Sequence, residues 1–256
     1  MKLTFLGTGT STGVPELRCD CEVCRSTDPR DKRMRCSALV ETADARVLID
    51  CGPDFYHQML RAGQPSLDCL IVTHSHYDHL GGIDDLRPYC TAISGGFPVY
   101  CREDVARDIR TRLPYCFGPH PYPRSPRFSL HEIEAGKPFA VSPLTTVIPL
   151  AVNHNPSLPI LGFRIGPLVY LTDCKIIPHE TLEAAKGCHT LVIGALRHKP
   201  HESHLNLDEA LNVINYVKPK RAFLTHISHG MGLHARVNSM LPEGTELAFD
   251  GLTVNF

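Results

Sequence analysis

THSHYDHLGG, Thr73–Gly82, packs three histidines and an aspartate into the six residues His74–His79. It follows the apolar run Cys69–Thr73, CLIVT, which reads as a β-strand. A strand that stops at Thr73 sends its next residues into a tight turn at one edge of a sheet. His74 and His76, two apart, can point the same way, and Asp78 and His79 come one step further round. Two pairs of ligands on one turn suit two adjacent metal ions better than one. Imidazole with carboxylate favours Zn²⁺, Mn²⁺ or iron. The plain alternative is a solvated polar turn, which the H-x-H-x-D-H spacing disfavours.

The same local grammar recurs along the chain. Asp173 ends LVYLTD, His226 ends RAFLTH, and His154 closely follows TTVIPLAVN. Each alone is a weak signal, because a histidine near a strand end is more often simply hydrogen-bonded. Repetition of strand, threonine, ligand at Thr73–His74, Thr172–Asp173 and Thr225–His226 strengthens all three. Asp50 ends another such run, VLIDCG, and is a candidate to orient a ligand imidazole from behind.

With these, eleven short apolar or β-branched runs and their bounds read as strands, from KLTFLG at the start to ELAFDG near the end. Helices are expected at Asp54–Ala62, Glu103–Leu113 and Pro178–Lys186. The clearest is NLDEALNVINYVKP, where Asn206 can cap and Glu209 can close a capping box. Many strands with interspersed helices predict two sheets covered by helices. No linker divides the chain, so one domain over residues 1–256 is expected. Gly7, Gly9 and Gly13 in LGTGTSTGVP lack the ending of a phosphate loop and read as a turn beside the site. The stretch Leu113–Phe128, LPYCFGPHPYPRSPRF, reads as an irregular loop. Arg102, Arg107, Arg110, Arg112, Arg124 and Arg127 lie in or just before it. They are either a solvated face or a lid that attracts an anionic substrate.

Composition bounds the rest. A hydrophobic fraction of 43% and a charged fraction of 21% are ordinary for a soluble globular chain of 256 residues. A net charge of −1 draws the protein to neither nucleic acid nor anionic lipid. The N-terminal MKLTFLGTGT is too short for a signal-peptide core, and no run approaches the ~20 apolar residues of a membrane span. Eleven cysteines without an export signal then predict a cytoplasmic protein with reduced thiols available to metals. Cys19, Cys21 and Cys24 in RCDCEVCR can converge on one zinc, with no fourth ligand nearby. Cys36, Cys69 and Cys188 read as small core residues.

On these residues the chain resembles the metallo-β-lactamase-fold hydrolases over essentially its whole length. The resemblance implies an α/β fold, a four-layered αβ/βα sandwich of two mixed β-sheets flanked by helices. It implies two divalent ions, zinc or manganese: one on His74, His76 and His154, the other on Asp78, His79 and His226, with Asp173 bridging both. The cysteine loop is similar, more narrowly, to that of the phosphodiesterases of the bacterial carbon–phosphorus lyase pathway. That resemblance implies His229, in THISHG, as fourth ligand of a structural zinc with Cys19, Cys21 and Cys24. It marks His204, in HESHLNLDEAL, as a catalytic histidine ahead of its neighbours His198 and His201. As a mechanistic expectation, Asp78 orients the nucleophile besides binding metal. The implied activity is hydrolysis of small, cyclic nucleotide-like phosphodiesters by a metal-activated hydroxide, in a protein that is a homodimer with no membrane or nucleic-acid-polymer partner.

Other members of the fold are weighed on the same residues. A tRNA 3′-processing nuclease would need a long basic arm. A thioester hydrolase of the glyoxalase II kind would carry a helical C-terminal addition, where this chain closes on TELAFDGLTVNF. A zinc β-lactamase usually has cysteine in place of Asp173. A thioester or other ester hydrolase, or a non-hydrolytic protein similar to the pyrroloquinoline quinone biosynthesis member, remains the alternative.

Overall fold

The computed structural model describes residues 1–91, 95–117 and 124–256. Strands β1 (Lys2–Gly7), β2 (Ser37–Glu41), β3 (Arg46–Ile49), β4 (Cys69–Ile71), β5 (Phe97–Cys101) and β6 (Phe128–Glu132) build most of a first sheet. Strands β7 (Phe139–Ala140), β8 (Thr146–Asn155), β9 (Leu158–Ile165), β10 (Leu168–Leu171), β11 (Thr190–Gly194), β12 (Arg221–Thr225) and β13 (Thr245–Leu247) build the second. The final strand β14 (Thr253–Asn255) returns to the first sheet, giving the orders β14-β1-β2-β3-β4-β5-β6 and β13-β12-β11-β10-β9-β8-β7. Both sheets are mixed, and helices cover their outer faces, which is the metallo-β-lactamase sandwich.

The two sheets meet on a core of Leu3, Phe5, Val47, Ile71, Phe163, Tyr170, Val192 and Phe223, all at most 1% exposed. Phe5 and Phe223 join the sheets with ring centroids 5.6 Å apart. Alternate residues of the same strands face outward to the helices. Leu48, Leu70 and Val99 meet helices 55–61 and 103–112, while Leu191, Ile193 and Leu224 meet helix 207–217. Strands buried on both faces have no polar alternation, which is why they read as unbroken apolar runs.

Strand direction fixes where the chemistry sits. β3, β4 and β5 run parallel, as do β10, β11 and β12. The residues that follow β3, β4, β10 and β12 therefore emerge at the same edge of the sandwich. Those residues are Asp50, the Thr73–Gly82 turn, Asp173 and His226.

The four expected helices are present as Phe55–Arg61, Glu103–Arg112, His179–Ala185 and Leu207–Val217. The last carries the expected capping box: Glu209 N donates to Asn206 Oδ1 and Asn206 N to Glu209 Oε2, both at 2.9 Å. Two readings need correction. The loop expected over Leu113–Phe128 contains a helical turn at Pro114–Phe117, and Phe128 opens edge strand β6, hidden by its mixed composition; residues 118–123 lie outside the described residues. His154 lies within β8 rather than after it, where the pairing with β9 shifts register between Asn153 and Asn155. Such a bulge re-aims a side chain without ending the strand. Among the described residues no helix is long and apolar enough to cross a membrane.

Candidate metal centre

The turn after β4 closes into one helical turn, Tyr77–Leu80. It can do so because two glycines let backbones touch: a Cβ on Gly82 would lie 2.1 Å from Gly52 O, and one on Gly52 would lie 2.0 Å from Asp78 O. Asp50, Asp173 and His226 all adopt positive φ, 60°, 52° and 56°. Three non-glycine residues in the left-handed region at three strand ends mark a place where side-chain direction outweighs backbone comfort.

These elements bring the expected residues together. His74, Asp78, His79, His154, Asp173 and His226 are each no more than 6% exposed. Donor atoms of Asp78, His79, Asp173 and His226 all lie within 4.8 Å of one another. His79 Nε2 is 3.3 Å from both Asp78 Oδ2 and Asp173 Oδ1, and His226 Nε2 is 3.1 Å from Asp173 Oδ2. His74, His76 and His154 form a looser trio, with ring centroids 4.5 to 5.7 Å apart. His76 is the exposed member and marks the open side.

Proton positions follow from the partners behind the rings. Asp50, fully buried, accepts from Thr73 N at 2.8 Å and from Thr73 Oγ1 at 2.9 Å. Since the Thr73 hydroxyl spends its proton on Asp50, it must accept at its 3.0 Å contact with His74 Nδ1. His74 then carries its proton on Nδ1 and keeps a lone pair on Nε2. Asp50 Oδ2 also takes the Nδ1 proton of His79 at 2.7 Å, and the Asp173 carbonyl takes that of His154 at 2.7 Å. Three imidazoles are thereby held with Nε2 free for a cation, the arrangement expected behind metal-bound histidines. Nε2 of His74 and of His79 is buried with no hydrogen-bond partner, which is costly unless a cation is there. The donor set fits divalent metal.

The charge balance agrees. Burial works against a charged His79, but Asp173, Asp78 and Asp50 outweigh it and raise its pKa well above the usual histidine range. Burial likewise opposes ionised Asp173, yet the charges of His226 and His79 hold its carboxyl well below the ordinary value. Asp78 is depressed in the same way, against burial, by His79 and His226. Without metal, a proton on His79 supplies positive charge that an ion would otherwise supply.

His204 sits at the centre as expected. Its ring stacks on His226 at 4.9 Å and packs edge-on to His154 at 4.6 Å. Burial first, then His226, pushes its pKa down to about 3, so the ring is neutral. A donor atom of His204 also lies within 4.8 Å of donors on His154 and Asp173. His201 is one ring further out, 5.0 Å from His204, and His198 is exposed.

The cysteine loop closes on His229, three residues after His226. Cys19 Sγ and Cys21 Sγ lie 3.1 and 3.3 Å from His229 Nδ1, and all four donors including Cys24 fall within 4.8 Å. A tetrahedral zinc with bonds of about 2.3 Å to sulfur and about 2.0 Å to nitrogen would set such pairs about 3.5 Å apart. Glu16, which sequence reasoning missed, lies 3.2 Å from His229 Nε2 and so fixes Nδ1 toward the thiols. Only position in the loop before Cys19 hinted at it. Burial pushes the Cys24 thiol up to about 12, and Cys21 falls to about 6: burial opposes its thiolate, but hydrogen bonds from Cys24 and His229 prevail. The glycine-rich stretch lies beside the centre, as expected: Thr10 N donates to Ile227 O and Ile227 N to Thr8 O.

The arginines mostly take the bland reading. Arg102, Arg107, Arg110 and Arg112 pair with Asp104, Glu103, Glu132 and Asp108. Arg112 alone of these four also reaches the metal turn, donating to Ser75 O at 2.7 Å.

The chain belongs to the beta-lactamase superfamily, whose domain matches residues 45–227, and its fold is the metallo-β-lactamase sandwich. A crystal structure described as a new diphosphatase from the PhnP family superposes with a TM-score of 0.91 at 38% identity, covering 100% of this chain and 96% of that one. That likeness puts the chain in the PhnP family. An octanoyltransferase of Porphyromonas gingivalis is 45% identical over 98% of this chain. The chain spans about half of that protein's length, 51%. A ribonuclease Z from a Mycobacterium species is 28% identical over 77% of this chain and 69% of its own.

Proposed function

We propose that this protein is a phosphodiesterase for small, nucleotide-like phosphodiesters. Two divalent ions would be held by His74, His76, His154, Asp78, His79, His226 and the shared Asp173, and a structural zinc by Cys19, Cys21, Cys24 and His229. The observation that carries the reading is His204, packed against one imidazole from each half of the centre. A neutral N–H donor there meets the oxygens of a group that spans both halves, as a phosphoryl group does.

When bound, the ions would lower the pKa of a water toward neutrality and offset charge on phosphoryl oxygens. The chain's own residues do the placing. Asp78 turns Oδ2 toward His79 and His226, leaving Oδ1 to orient the attacking water. His204 steadies the phosphoryl or leaving-group oxygen, help worth ~10²–10⁴ in rate. Asp50 and Thr73 hold the imidazoles in the required tautomer. The diphosphatase at 38% identity supports phosphorus–oxygen chemistry. Acid-matched arginines on helix 103–112 favour a small substrate over a nucleic-acid polymer.

A second reading has its own support. Identity of 45% to an octanoyltransferase favours an acyl thioester or ester as substrate, although half of that protein has no counterpart here. The test is one assay series on protein loaded with Zn²⁺ or Mn²⁺, using bis(p-nitrophenyl) phosphate and an octanoyl thioester. Phosphodiester turnover that His204→Ala lowers by ~10²–10⁴ with metal content unchanged supports the first reading. Thioester turnover alone supports the second. Loss of metal from His204→Ala would make His204 a ligand.

A further inference from the structure

Tyr77 fills the second variable position of the H-x-H-x-D-H turn, between two candidate ligands, and is 65% exposed. An aromatic ring in water is common on protein surfaces and alone means little. Two features set this one apart. Gly81 lies one turn on, and a Cβ there would sit 2.7 and 2.8 Å from Tyr77 Cε2 and Cδ2. At φ −64° the Gly81 torsion is ordinary, and a Cβ there would also lie 2.6 Å from Tyr77 O, so the carbonyl and the ring of Tyr77 together need the space. The ring thus rests along the turn with one edge fixed and the remainder in solvent. The second feature is its company. Asp78 and His79 beside it are buried, while His76 is exposed, so Tyr77 stands on the side from which the metal centre is reached.

We propose that Tyr77 is a stacking platform for a planar aromatic group of the substrate, a nucleobase or ring of similar size, attached to the phosphoryl group that the metal centre receives. The proposal deepens the phosphodiesterase reading and rests on it for the phosphoryl group. A ring already held along one edge loses little freedom on binding. Every nucleobase has a π-face, so such a platform selects for an aromatic arm without choosing among bases.

The test compares two ligands that differ only by the base, adenosine 5′-monophosphate and ribose 5-phosphate. Their dissociation constants are measured by calorimetry on the metal-loaded protein, with bis(p-nitrophenyl) phosphate turnover recorded beside them. Wild type should bind the nucleotide at least about tenfold more tightly, equivalent to about 1.4 kcal/mol. Tyr77→Phe should keep that preference. Tyr77→Leu, which keeps bulk but has no π-face, should bring the two constants together. Equal binding by wild type, or a preference that survives in Tyr77→Leu, overturns the platform. Turnover without base preference sinks the platform alone; base preference without phosphodiester turnover sinks the functional reading and leaves the platform standing.

Discussion

Replacing Asp50 by asparagine changes one buried oxygen to an amide and should disarm two candidate metal ligands at once. Asp50 Oδ1 accepts the Thr73 backbone N–H, so asparagine must keep its oxygen there or strand a buried donor at a cost of ~1–3 kcal/mol. The amide NH₂ then occupies the place of Oδ2, which faces Thr73 Oγ1 and His79 Nδ1. Both hydrogen bonds reverse. Thr73 Oγ1 now accepts from Asn and turns its own proton to His74 Nδ1, driving the His74 proton to Nε2. His79 Nδ1 becomes an acceptor, and its proton also moves to Nε2. Each imidazole then presents a proton where a lone pair is needed.

Loss of one such outer partner typically costs about 10–100-fold in metal affinity. With two imidazoles reversed, Asp50→Asn should lose about 100-fold or more. The substitution is isosteric, so circular dichroism should be unchanged. Affinity would be measured by competition with a chelator, with metal counted per chain. A folded Asp50→Asn protein that binds metal at the wild-type affinity would refute the proton relay from Asp50 through Thr73 to His74.

Four further outcomes follow from the same geometry. The metal-free protein should be most stable near about pH 6.5: the depressed Asp78 and Asp173 contribute above their unfolded value of about 3.9, the depressed His74 and His204 cost stability as pH falls below about 6.5, and the raised His79 contributes fully only below about 6.5. Thermal melts of chelated protein across pH 3–9, on the order of one per pH unit, check this, and a stability that climbs steadily past pH 7 contradicts it. Cys24→Ser should release the loop zinc, beyond the about 10–100-fold expected from losing an outer partner, and expose residues 16–25 to proteolysis; zinc binding to the wild-type loop near neutral pH should expel a proton, because the Cys24 thiol lies at about 12, and calorimetry in two buffers reads that proton. Gly82→Ala drives a methyl against Gly52 O, with Phe55 Cβ 3.1 Å behind, so it should cost ~1–3 kcal/mol and lower Tm by about 3–10 °C; an unchanged Tm would show that the turn can move.

How much of this was legible beforehand depends on what a residue's neighbours in sequence can reveal. The threonine before each ligand was visible as a pattern, and the structure supplies its reason. Thr73, Thr172 and Thr225 are all fully buried, and each hydroxyl works at the sheet edge. Thr73 serves Asp50, Thr172 donates to Asp173 Oδ1 at 2.7 Å, and Thr225 meets Cys36 Sγ at 3.4 Å. A β-branched residue with a hydroxyl suits the last strand position, where packing gives way to polar chemistry. Parallel strands carry that one-residue grammar to a common edge, so local runs sufficed to predict a shared site. What the sequence hides is contact across long separations and backbone sign. Nothing local marks Glu16 as the partner of His229, Gly81 as the bed for Tyr77, or Asp50, Asp173 and His226 as left-handed. The bulge that aims His154 is hidden for the same reason, since a shift in pairing belongs to two strands and is written in neither alone. The buried network of Arg33, Thr8 and Asp250 shows the limit most clearly. Arg33 Nη1 donates to Thr8 Oγ1 and Asp250 accepts from Thr8 and Met34, holding the stretch that pairs with Ile227 beside His226. An arginine, a threonine and an aspartate spread over more than 240 positions carry no joint signal in one sequence, yet together they set the backbone on which a ligand stands.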